Sequence, residues 1–289
     1  MPANTFVATA TGAISAGLKP VLVDIDRATY LLDYDQLESV ITPRTKAICP
    51  VHLYGRACDM DRVMQFAAKH DLRVVEDTAQ AHGAKWNGKC VGTFGDFGSF
   101  SFYPGKNLGA YGDAGGVVTN SEEAYKRLRR LRNYGSEIKY EHPEFGTNSR
   151  LDSMQAAVLS VKLKHLADWN AKRWQAAATY VRYLKPLEAK GLVLPDIRTA
   201  SEHVFHLFIV QVEDRKRVME HLGKHEVQTG IHYPIPFHIQ GGYKDLGYGV
   251  GDFPVTEAVA KKIVSLPMFP EITEAQIAFA CEKLSEALA

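Results

Sequence analysis

The first third of the chain alternates short apolar runs with amphipathic ones. Residues 20–24 (PVLVD) read as a buried strand, and residues 33–41 (DYDQLESVI) as a helix opened by Asp33. Residues 46–51 (KAICPV) give the next strand, Asp59 caps a helix with Val63, Phe66 and Ala67 on one side, and residues 72–76 (LRVVE) give a third strand. This strand–helix–strand rhythm predicts a parallel sheet covered by helices. Ligands of such sheets sit at the carboxyl ends of the strands. Asp24, Asp26, His52 and Asp77 stand just past those ends and are site candidates by position.

Further on, residues 97–103 (FGSFSFY) and 115–119 (GGVVT) read as strands around the glycine-rich turn PGKNLGAYGDAGG. Ser121 caps the helix SEEAYKRLRRLR, whose basic residues read as a solvated face rather than an anion site. A helical pattern runs from about 152 to 187, closed by Gly191. The remainder mixes strands (203–212, 228–234) with helices (214–224, 273–289), as in a smaller α+β domain. The expected division is residues 1–165, a large domain, and 166–289, a small one.

Composition narrows the partners. Lys plus Arg number 34 against 33 for Asp plus Glu. A net charge of +1 offers no field for nucleic acid or an anionic membrane, so a small-molecule partner is expected. No run of eighteen apolar residues is present, and the first residues lack the basic and apolar regions of a signal peptide. Cys49, Cys58, Cys90 and Cys281 form no C-x-x-C pair and read as reduced thiols in a cytoplasmic protein, with no metal site expected.

Two segments carry candidate chemistry. In V-V-E-D-T-A-Q-A-H-G-A (74–84) a strand delivers Asp77 to the sheet's carboxyl edge, and in S-F-S-F-Y-P-G-K (99–106) a strand turns at Pro104–Gly105 and presents Lys106. A pyridoxal-phosphate enzyme needs a lysine for a Schiff base, an acid to keep the pyridine nitrogen protonated, and a phosphate cradle. Taken alone, each residue also fits a plainer role: a surface lysine, a capping or turn aspartate, a half-buried strand serine. The residues by themselves leave other α/β enzymes open.

The segments V-E-D-T-A-Q-A-H-G-A, G-D-F-G-S-F-S-F-Y-P-G-K-N-L, G-T-N-S-R-L-D-S-M-Q-A-A-V-L and H-Y-P-I-P-F-H resemble the DegT/DnrJ/EryC1/StrS family of sugar aminotransferases. P-A-N-T-F-V-A-T near the start and S-L-P-M-F-P near the end do so too, and the similarity runs in order along the whole chain. The resemblance implies a fold-type I pyridoxal-phosphate transferase: an α/β fold with a mostly parallel central sheet flanked by helices and a smaller C-terminal α+β domain. It implies amino transfer, commonly from glutamate, to a nucleotide-linked keto-sugar, with a leaning toward dTDP-linked 3-keto-6-deoxyhexoses. It makes Lys106 the Schiff-base lysine and Asp77 the partner of the pyridine nitrogen. Gln80 would lie beside the 3-hydroxyl, Ser101 on the phosphate and Phe6 on the ring. Asn148 would reach the neighbouring subunit's phosphate in a homodimer with shared active sites, and His232 and Tyr233 would lie near the sugar nucleotide. Dehydratases of the family carry histidine where Lys106 stands.

Family members carry a segment before P-A-N-T-F with a Gly-Thr loop that grips the phosphate at a helix start. The chain reads as truncated at its N-terminus relative to them. Three readings follow: an aminotransferase; a fragment or paralogue without catalysis that serves in interaction or regulation; or a pyridoxal-phosphate sugar dehydratase of the same fold, which Lys106 disfavours.

Overall fold

A computed structural model describes residues 1–197 and 200–289. Helix α1 (Val7–Ser15) comes first, and a 3-10 turn at Tyr34–Gln36 runs into the short α2 (Leu37–Val40). Strand β1 (Ala47–Ile48), α3 (Met60–Lys69) and β2 (Arg73–Asp77) follow, then a small hairpin of β3 (Lys85–Trp86) and β4 (Lys89–Cys90). Next come β5 (Phe97–Ser101), β6 (Gly115–Val118), α4 (Glu122–Leu131), α5 (Ser153–Leu163) and α6 (Leu166–Leu184). The chain ends with β7 (Phe208–Gln211), α7 (Arg215–Lys224), α8 (Pro254–Lys262), β8 (Ile263–Leu266) and α9 (Glu274–Ala287).

The central sheet has the order β1-β2-β5-β6. β1 pairs with β2 and β2 with β5 in parallel, while β6 runs antiparallel to β5. The parallel register sets Asp77 beside Ser99, so the ends of β2 and β5 open on one edge. Alternation along β2 buries Val74 and Glu76 on one face. The expected caps form: Asp59 accepts from the Arg62 N–H and Ser121 from the Ala124 N–H, each satisfying a donor of the first turn.

Elsewhere the elements depart from their sequence pattern. Residues 20–24 contribute only an isolated bridge, Pro2 with Val23. The strand expected over 46–51 stops at Ile48, because Pro50 has no N–H to give. Its carbonyl still accepts from Asp77 N, and His52 N donates to the Asp77 carbonyl. The helical pattern over 152–187 is two helices, α5 and α6, separated at Lys164–His165, then a 3-10 segment ended by Gly191 at φ 87°. Of residues 203–212 only Phe208–Gln211 pair as a strand; Phe205, at φ 41°, interrupts the extended run. Residues 228–234 contribute one bridge, Gly230 with Ser265.

Two large cores form. One gathers Val23, Ile25, Leu32, Ile48, Val63 and Val74 beneath the sheet and takes in Ile209, Val259 and Ile263 from the C-terminal third. The other joins Tyr180 and Leu184 of α6, Phe208 and Val210 of β7, Leu222 of α7 and Leu284 of α9. We propose the turn at Lys164–His165 as the division between residues 1–165 and 166–289; the second core, drawn wholly from beyond it, supports this. The described cysteines are all free thiols.

Candidate active site

A cavity of about 1440 Å³ opens at the carboxyl edge of β2 and β5, lined by Asp77, Ser101 and Lys106. Phe6, Gln80, His232 and Tyr233 line it as well, so seven of the eight residues that the family resemblance singles out meet there. Asn148 does not: it is exposed, bridged to Asn133, and accepts from Arg150 Nε at 3.1 Å.

Asp77 is the last residue of β2, and its carboxylate is held from two sides. Thr9 of α1 donates to Oδ2 at 2.7 Å, and the Ala79 N–H donates to Oδ1 at 3.1 Å. Lys106 follows a turn closed by its own N–H on the Tyr103 carbonyl at 2.8 Å. Its amine is half-buried, and burial lowers its pKa while the Asp77 charge works the other way. The turn has no slack: a Cβ on Gly109 would lie 2.3 Å from the Pro104 carbonyl oxygen. Ser101, the last residue of β5, accepts from the Tyr103 N–H at 3.3 Å. Gln80 is pinned at both ends, accepting from Tyr54 N at 2.6 Å and donating to the Tyr233 hydroxyl at 3.1 Å. The Tyr233 ring lies 5.4 Å from that of Phe6, which is 52% exposed. Burial, then the Asp77 charge, pushes the Tyr233 phenol up to about 12. His232, with Nδ1 2.7 Å from the Ser265 hydroxyl, is held below its ordinary pKa by burial and by Lys106.

One layer behind Asp77 lies a buried carboxylate–imidazole pair, whose His52 Nδ1 accepts from the Cys58 N–H at 3.0 Å. Glu76 accepts from the N–H groups of Gly92 (2.6 Å), Phe94 (2.7 Å) and Gly95 (2.8 Å), and from His52 Nε2 at 3.1 Å. Burial opposes its charge, yet His52 and the backbone donors outweigh it and hold the carboxyl below its ordinary pKa. His52 is likewise opposed by burial, but Cys58 and Glu76 raise it to about 9. His52 is therefore part of this support rather than of the cavity. Asp24 is also structural: it receives N–H groups of Ile25, Val255 and Thr256 and the Thr256 hydroxyl, and so caps α8. Asp26 closes a turn by accepting from Ala28 N and Thr29 N.

Several lining residues carried no sequence signal as site groups. Thr9 and His206 reach the cavity from α1 and from the approach to β7. The basic helix α4 divides its arginines: Arg127 and Arg130 pair with Glu144, while Arg129 lines the cavity, joined by Arg132 and Arg150.

The residues present fit pyridoxal phosphate. A desolvated amine, a positioned carboxylate, a hydroxyl and an aromatic ring share one cavity. Its volume exceeds the roughly 300–1,000 Å³ of a typical small-molecule site, leaving room for a second ligand. Lys106 would hold the group, Asp77 would face its ring nitrogen and Ser101 its phosphate.

Comparison with known proteins places this chemistry. Residues 1–285 match the DegT/DnrJ/EryC1/StrS aminotransferase family, and the chain belongs to it. It is 46% identical over 98% of its length to a pleiotropic regulatory protein of Geobacillus stearothermophilus, covering 76% of that relative. It is 44% identical to the dTDP-3-amino-3,4,6-trideoxy-alpha-D-glucose transaminase of Streptomyces venezuelae, covering 96% of this chain and 72% of the relative. The fold superposes on the crystal structure of S. venezuelae DesV in complex with a ketimine intermediate, with a TM-score of 0.96 at 42% identity, over 100% of this chain and 77% of that one. The mostly parallel, helix-flanked sheet is thus that of the family's fold-type I enzymes.

Proposed function

We propose that the chain transfers an amino group from an amino-acid donor, glutamate in the first instance, to a nucleotide-linked keto-sugar, with pyridoxal phosphate as cofactor. The observation that carries this is the meeting of Lys106, Asp77 and Ser101 on one cavity at the end of a parallel sheet. Similarity to a dTDP-sugar transaminase makes a dTDP-linked 3-keto-6-deoxyhexose the first substrate to test. Arg129, Arg132 and Arg150 on the cavity wall suit the phosphates of such a substrate.

Pyridoxal phosphate, when bound, supplies an electron sink that makes the hydrogen next to the substrate's amine acidic. Lys106 would hold it covalently through Nζ. Once displaced by the donor, its desolvated amine takes up that proton and returns it. Asp77, oriented by Thr9 and Ala79, would keep the ring nitrogen protonated through a charge-assisted hydrogen bond. Phe6 would cover the ring face, and Gln80, fixed by Tyr54 and Tyr233, lines the same cavity. A second copy of the chain would bring Asn148 to the partner's phosphate site; its exposed side of the chain suits that role.

The test is borohydride reduction of the protein mixed with pyridoxal phosphate, followed by peptide mapping and amino-transfer assays with glutamate. A single adduct on Lys106 and turnover of the keto-sugar are expected. Lys106→Ala should abolish both. Asp77→Asn should retain the adduct and lose activity by about a hundredfold or more. An adduct spread over surface lysines, or turnover by Lys106→Ala, overturns the reading.

A further inference from the structure

His206 enters the site through a chain of side-chain amides whose orientations are all fixed. The His82 carbonyl accepts from Asn170 Nδ2 at 2.8 Å. A carbonyl only accepts, so the Asn170 amide nitrogen faces it and Asn170 Oδ1 faces Asn107. Asn107 Nδ2 donates to that oxygen at 3.0 Å and to the Val204 carbonyl at 3.1 Å. Two acceptors on one side leave Asn107 no choice of flip. Its Oδ1 then faces His206 Nδ1 at 3.2 Å, and an amide oxygen only accepts. The proton of His206 therefore sits on Nδ1, and Nε2 carries a lone pair on the opposite side of the ring.

His206 lines the cavity together with Lys106, whereas Asn107 is buried. The chain begins at the residue next to Lys106, so the same amide that fixes the imidazole also anchors the lysine's turn. Lys106, Arg173, His82 and His232 all act on the ring. Burial first, then the Lys106 and Arg173 charges, keep its pKa well below the ordinary value.

We infer that His206 is a further residue of the active site, locked by Asn107 in the Nδ1–H tautomer so that its Nε2 accepts the hydrogen bond of the Lys106 ammonium whenever Lys106 carries the proton. This deepens the proposed function, since it assigns a residue that serves the proton taken up by Lys106. Asn107 acts through His206 and is a positioning residue. A hydrogen bond to a charged donor favours the charged form, so Nε2 moderates the fall in the Lys106 pKa that burial imposes.

The experiment separates the two sides of the ring. Histidine 15N shifts of the protein without added cofactor report the tautomer, and a labelled Lys106 side chain reports its amine pKa. In the wild type, Nδ1 of His206 is protonated and Nε2 is not. His206→Asn keeps a donor toward Asn107 and deletes the Nε2 position; His206→Gln keeps a group at the Nε2 position and gives up the Asn107 bond. The Asn variant should titrate Lys106 about one pH unit lower, a tenfold change, and the Gln variant should stay close to wild type. Amino-transfer rates should follow the same order, with the alkaline limb of the pH profile moved most in the Asn variant. An Nε2–H tautomer, or a Lys106 pKa unmoved in His206→Asn, overturns the inference. Neither readout uses turnover, so both stand even if the keto-sugar assignment fails.

Discussion

Replacing Glu76 tests whether the support behind Asp77 holds the site together. Its carboxylate receives three backbone N–H groups from 92–95, the segment that leads into β5, and the His52 ring. Both side chains of the pair are fully buried. Gln in its place turns an N–H toward donors that need an acceptor, and Leu removes every acceptor. Each stranded buried donor costs about 1–3 kcal/mol, and breaking a buried pair about 3–5 kcal/mol. Glu76→Gln should therefore lose about 3 kcal/mol of stability and Glu76→Leu about 5 kcal/mol, in that order.

The pH dependence carries the sharper test. His52 is raised to about 9 from 6.5, so its contribution is complete below pH 6.5 and is lost as pH rises through 9. The size is on the order of 3 kcal/mol, about 1.4 kcal/mol per pH unit over that interval. Glu76 is lowered from 4.5, so its contribution is present above pH 4.5 and is lost as pH falls below it. Urea midpoints followed by tryptophan fluorescence at pH 6 and pH 9 should show the wild type losing stability across that interval. Glu76→Gln should lose less, because its His52 keeps only Cys58 of the two groups that raise it. Equal losses in the two proteins would mean that Glu76 does not set the charge on His52, and the reasoning would fail.

Two other changes probe the same edge of the sheet. Thr9→Val removes the hydroxyl that donates to Asp77 Oδ2 at 2.7 Å while keeping the shape of the side chain. A lost bond to a carboxylate of about 1.5 kcal/mol or more should weaken pyridoxal-phosphate binding roughly tenfold in an absorbance titration, with little change in unfolding midpoint. Gly98→Ala would set a methyl group 2.1 Å from the Gly92 carbonyl oxygen, against backbone that cannot swing aside as a flexible side chain would. It should cost about 2–3 kcal/mol in urea unfolding and displace the end of β5, so that borohydride labelling of Lys106 falls with it.

How much of this was legible in the sequence depends on how far each residue's partners lie along the chain. Strands β2 and β5, the caps at Asp59 and Ser121, and the placing of Asp77 and Lys106 rest on neighbours a few residues away, and all were readable. Asp24 and Asp77 carry the same local signal, an acid at the end of an apolar run. Asp24 receives four hydrogen bonds among the described residues, and three come from Val255 and Thr256, more than two hundred positions on. Asp77 receives two, leaving acceptor capacity free on a carboxylate that takes about four. What separates the structural acid from the functional one is therefore unspent hydrogen-bonding capacity facing a cavity. That quantity exists only once α8 and α1 have docked. The same holds for Glu76, whose burial depends on the 92–95 loop, and for His206, whose tautomer is written in Asn107, Asn170 and the carbonyls of His82 and Val204. Sequence motifs thus pick out the groups that line the cavity. The residues that hold those groups in their working states come from distant segments, and their roles emerge from packing.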